Sequence, residues 1–94
     1  MLVVADGVGG WSLKGVDPSI FSRNLTRSIV DCHTEKPSLT AKACLINGCR
    51  KASQAAPGSA VVVVLKLFDN LTIKAANLGD CGYALFHILE NDTL

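Results

Sequence analysis

Apolar residues recur along this chain with two different periods, and the switch between them divides its 94 residues into elements. Leu2 to Ala5 is an unbroken apolar run that stops at Asp6-Gly7, which reads as a buried strand opening at its C-terminal end into a loop. Phe21, Leu25, Ile29 and Cys32 then recur at helical spacing, predicting an amphipathic helix of about three to four turns that ends near His33. Its start is marked by Asp17-Pro18, because Asp caps free backbone N–H groups and Pro is tolerated at the first helical position. Pro37-Ser38 restarts the pattern, and Leu39, Ala43, Ile46 and Cys49 or Arg50 mark a second helix running to about Gln54, before Ala55-Ala56-Pro57-Gly58 ends it.

Beyond that point the period shortens. Ser59 to Phe68 contains four consecutive valines followed by Leu65, Leu67 and Phe68, a run too β-branched for a helix and too apolar for a surface strand. It predicts a central strand covered on both faces. Asp69-Asn70 supplies a two-residue turn, and Leu71, Ile73 and Ala75 alternate with Thr72, Lys74 and Ala76 in a further strand. Gly79-Asp80-Cys81-Gly82 breaks it, and Tyr83 to Leu89 resumes as a third strand of this group. The predicted order is β-α-α-β-β-β, with no internal repeat.

Composition changes the picture in one respect. Hydrophobic residues make up 49% of the chain and charged residues 18%, and the mean hydropathy is +0.35, too apolar for a free-standing domain of this size. The expectation is a single incomplete domain over residues 1–94, a slice of a larger core. Met1 almost inside a strand points the same way, toward a truncated gene model or an internal start.

Charge excludes more than it suggests. A formal net charge of +1 provides no basic field for a phosphate backbone, so no nucleic-acid partner is expected. The longest purely apolar run, Ala60 to Leu65, is far short of the ~20 residues that span a bilayer, and nothing at the start of the sequence combines a basic region with an apolar stretch and a cleavage site. The chain reads as intracellular, and its oligomeric state is left open. Cys32, Cys44, Cys49 and Cys81 form neither a Cys-x-x-Cys pair nor the ladder of a disulfide-stapled domain, and His33 and His87 stand apart, so reduced thiols are expected rather than a zinc site.

Candidate chemistry lies at two strand ends. Asp6 sits in Val-Ala-Asp-Gly-Val-Gly-Gly-Trp and Asp80 in Ala-Asn-Leu-Gly-Asp-Cys-Gly. A carboxylate at a strand terminus is rigidly held, and magnesium or manganese takes oxygen ligands of this kind. Either Asp-Gly or Gly-Asp alone is more often simple turn chemistry. Gly7, Gly9 and Gly10 do not form a phosphate loop, because the next predicted helix begins only at Pro18. A lone Trp11 is more often a packing plug than a site residue.

Taken in order, Ala5-Asp6-Gly7-Val8-Gly9-Gly10-Trp11, Gly15-Val16-Asp17-Pro18 with Phe21-Ser22, Gly58-Ser59-Ala60 and Ala76-Asn77-Leu78-Gly79-Asp80 resemble successive landmarks of the type-2C metal-dependent protein serine/threonine phosphatases. The resemblance is to the branch whose known members are mitochondrial. It implies an α+β fold, part of a four-layer α-β-β-α sandwich of antiparallel sheets with two magnesium or manganese ions at one end of the strands. Asp6 would bridge the two metals, Gly7 would contribute its main-chain carbonyl, and Asp80 would match the acidic residue of an additional, weaker metal. Such a pair of ions lowers the pKa of a bridging water and orients it for direct attack on phosphorus, the substrate being a phosphoserine or phosphothreonine protein.

Val8 stands where many relatives carry His, and Cys81 where Ser is usual after the Gly-Asp. The family's upstream strand with a phosphate-gripping Arg, and its downstream Ser-Asp-Gly and Asp-Asn elements that supply further ligands, are absent from these residues. The 94 residues alone are therefore expected to be inactive. The alternative is a catalytically dead short product that binds phosphoproteins or a full-length relative through its sheet edges.

Overall fold

A computed structural model describes residues 1–69 and 71–86. In chain order they form β1 (Leu2–Gly7), a 3-10 helix (Gly9–Lys14), α1 (Pro18–Glu35), α2 (Ala41–Ala55), β2 (Ala60–Leu67) and β3 (Ile73–Leu78). The fold is α+β.

Both long helices begin where a side-chain oxygen replaces a missing backbone acceptor. The Asp17 carboxylate accepts from the Ser19 N–H at 2.9 Å ahead of Pro18, and the Thr40 hydroxyl accepts from the Ala43 N–H at 3.0 Å. α1 buries Phe21, Leu25, Ile29 and Cys32, the four positions whose spacing predicted it. It runs to Glu35, beyond the expected end near His33. α2 starts at Ala41 and ends one residue past Gln54.

Sheet order is β1-β2-β3, with both pairings antiparallel. β2 is central, as its valine run predicted. Leu2 to Gly7 face Leu65 to Ala60, and Ile73 to Leu78 face Leu67 to Val62. Because side chains alternate across a sheet, Val3, Ala5, Val62, Val64 and Ala76 lie on the face covered by α1 and α2, where they join the helix residues in one hydrophobic core. Val62, Val64, Leu25 and Ile29 are almost fully buried there, each contributing about 1.5–3 kcal/mol through removal from water.

The opposite face carries Leu2, Val4, Val61, Val63, Leu65, Leu67 and Ile73, and the described residues leave it largely open: Leu2, Val4 and Leu67 are 58%, 56% and 62% exposed. The expectation that the valine strand is covered on both faces is thus met on one only. The described residues build two layers, helices on a sheet.

Three further expectations are revised. The glycine-rich stretch after β1 is not an open loop but a short 3-10 helix over Gly9–Lys14, closed by Gly15 in the left-handed region at φ 75°. Leu71 does not begin a strand: it sits at φ 61° in the turn, its N–H donating to the Phe68 carbonyl at 2.9 Å while the Phe68 N–H donates to Thr72. The connection is therefore wider than two residues, the left-handed residue absorbing the strand twist. Of the strand expected over Tyr83 to Leu89, residues 83–86 have no regular structure and 87–89 lie outside the described residues.

Candidate metal centre

β1 and β3 run in the same direction on either side of β2, so their C-terminal ends emerge at one edge of the molecule. Asp6 is the penultimate residue of β1, and Asp80 follows β3 by two residues. Both are exposed. The register sets Asp6 opposite Val61, on the open face of the sheet away from the helices. Asn77, opposite Val63, shares that face.

Local packing fixes each segment. A Cβ at Gly7 would collide with the Pro18 carbonyl oxygen, so the absence of a side chain is what lets the start of α1 close onto the strand end. The chain leaving Gly7 is tied to the start of β2 twice: the Val8 N–H donates to the Ser59 carbonyl at 3.0 Å, and the Trp11 indole N–H donates to the Ser59 hydroxyl at 2.9 Å. The Lys14 ammonium lies 5.2 Å from the centre of the Trp11 ring, within cation–π range. At the other acidic segment, Gly79 takes φ 91° against Val61. The Asn77 amide donates to the Cys81 carbonyl at 3.1 Å, folding the bend that presents Asp80.

The oxygen donors Asp6, Gly7 and Asp80 have the hardness that magnesium or manganese requires. They do not form a complete set. β1 and β3 stand two strand spacings apart, about 10 Å, and among the described residues no group of three or more His, Cys, Asp or Glu side chains could hold a metal ion. The donor chemistry fits part of a hard-cation site, with Asp6 and Gly7 at one position and Asp80 at a separate one.

Sequence reasoning placed Trp11 as a packing plug and did not anticipate its hydrogen bond to Ser59. That pairing spans 48 positions, and no local pattern encodes it. Lys66 was also missed. It is only 1% exposed, on the helix side of β2, and its ammonium donates to the Leu39 carbonyl between α1 and α2. The available signal was a lysine in the inward phase of an otherwise apolar strand, after Val62 and Val64.

Comparison with known proteins places these landmarks in a family context. The chain is 33% identical over 85 residues to the probable protein phosphatase 2C 26 of Arabidopsis thaliana, covering 90% of this chain and 28% of that protein. It is 34% identical over 83 residues to the probable protein phosphatase 2C 1 of Oryza sativa, covering 87% and 24%. Against the protein phosphatase PTC7 homolog fig of Drosophila pseudoobscura it is 35% identical over 89 residues, covering 87% and 26%. The chain thus spans about a quarter of the length of these relatives. No family model matches it, and no solved structure is similar to it.

Proposed function

Because this chain belongs by sequence to the type-2C protein phosphatases over most of its own length, we propose that it forms part of a metal-dependent phosphatase acting on phosphoserine and phosphothreonine in proteins. The observation that carries this reading is the emergence of Asp6 and Asp80 at the same end of the sheet. In it, Asp6 and the Gly7 carbonyl would hold a magnesium or manganese pair together with ligands from elsewhere in a longer polypeptide, and Asp80 would serve a further ion. Divalent ions at this end would supply an activated water and offset negative charge on the phosphoryl group.

The residues present do the positioning. β1 fixes the Asp6 carboxylate at a strand end, and the Ser59 contacts hold the following turn against β2. The open apolar face is where the second sheet of the family sandwich packs, at the usual spacing of about 10 Å between stacked sheets. The PTC7 name among the relatives supports the mitochondrial-type branch and, with it, a mitochondrial location for the parent protein.

Hydrolysis of p-nitrophenyl phosphate with manganese tests this. The 94-residue chain is expected to be inactive, while a continuous reading frame carrying the remaining ligands turns over and loses about two or more orders of magnitude in rate on Asp6→Asn, the scale of a disrupted metal pair. An extended protein without activity, or one indifferent to Asp6→Asn, would overturn it. The open face favours one second reading, a catalytically silent interaction module, which a reading frame that stops at Leu94 would support.

A further inference from the structure

At the opposite end of the sheet from Asp6, positive charge outnumbers carboxylates, with Lys42, Lys66 and Lys74 against Asp69. Lys66 and Lys74 are directly opposed in the β2–β3 register, which places their Cβ atoms about 5 Å apart on one face, an arrangement that like charges disfavour. Lys66 is buried and turned toward Leu39, with its ammonium 5.5 Å from the centre of the Phe68 ring. Lys74 and Lys42 line a cavity of about 790 Å³ whose wall also includes Ser38, Thr40 and Phe68.

Lys42 is the second residue of α2, where a cation opposes the positive end of the helix dipole. Asp69 is the one carboxylate in the cavity wall, and neither Lys42 nor Lys74 has an ion-pair partner among the described residues. Two unpaired ammonium groups, a third behind the wall and the hydroxyls of Ser38 and Thr40 would repel one another less with a dianion between them.

We propose that this cavity binds a dianionic phosphate group, carried either on a small aromatic ester that also uses the Phe68 ring or on a phosphorylated peptide. The site is separate from the Asp6 end and does not rest on the phosphatase reading.

The test is titration of the whole 94-residue chain by amide NMR in metal-free, chelator-containing buffer at constant ionic strength, so that no divalent ion recruits phosphate elsewhere. Inorganic phosphate is expected to shift the Lys42, Ala43 and Lys74 amides saturably. Lys42→Gln with Lys74→Gln should weaken the apparent affinity at least tenfold, with the spectrum otherwise unchanged showing that the fold is intact. Phenyl phosphate binding more tightly than a phosphoserine tetrapeptide assigns the site to small esters, and the reverse order to a phosphorylated chain. Absence of saturable shifts at these amides, or equal binding by the double variant, would overturn the proposal.

Discussion

The indole N–H of Trp11 donates to the Ser59 hydroxyl at 2.9 Å, joining the turn after β1 to the residue that leads into β2. Two segments far apart in sequence are thereby held together beside Asp6. Ser59→Ala removes the hydroxyl but leaves the Val8–Ser59 main-chain bond in place. It should cost about 1 kcal/mol of stability, the usual net value of one hydrogen bond. Urea unfolding followed by Trp11 fluorescence measures this, and an unchanged midpoint would mean that water replaces the hydroxyl without loss.

Gly48 lies where α2 meets α1, and a Cβ there would run into the Ile29 side chain. Helix propensity alone favours Gly48→Ala by about 1 kcal/mol. Overpacking opposes it by about 1–3 kcal/mol, and Ile29 is fully buried. The expected result is a net lower melting temperature. The clash falls on Ile29 Cγ1, so combining Gly48→Ala with Ile29→Ala should cost less than the sum of the two single substitutions, and strict additivity would argue against the clash.

His33 Nδ1 is shut off from water without a hydrogen-bond partner among the described residues. Burial first, then the charges of Lys66 and the N-terminus, lowers its pKa below the ordinary 6.5. The unfolded chain therefore takes up the proton first. The stability is full above about pH 6.5, the unfolded value, and is lost as pH falls toward the lower folded value. Thermal melts across that range should show the decline, and His33→Gln should flatten it. A variant with the same pH slope as the parent would rule the residue out.

The uncovered face of the sheet predicts self-association of the isolated chain, since Val4 and Leu67 are more than half exposed in a contiguous apolar surface. Sedimentation velocity should show mass rising with concentration, and Val4→Lys should shift the distribution toward monomer. A parent chain that stays monomeric and melts cooperatively at high concentration would contradict this.

Asp6→Asn in the 94-residue chain offers a check that needs no catalysis. Manganese should broaden the amide resonances of Asp6 and Gly7 in the parent and do so at least several-fold less in the variant, because a neutral amide is a poorer ligand for a hard cation. Equal broadening in both would indicate non-specific association.

Local chemistry made much of this protein legible before its fold. Asp17-Pro18 announced α1, the Phe21-Leu25-Ile29-Cys32 stripe gave its buried face, and the valine run placed β2 at the centre of the sheet. Each of these signals depends on neighbours within a few positions, where side-chain period and capping act directly. Asp6 and Asp80 were visible as strand-end acids for the same reason.

What the sequence could not contain was which distant groups would meet. The parallel direction of β1 and β3, set by their shared pairing with β2, puts both acids at one end of the sheet. Trp11 finds Ser59 and Lys66 turns inward to Leu39 only once the chain has closed loops of 48 and 27 residues. Register and sheet order are properties of that closure, so tertiary packing alone decided them.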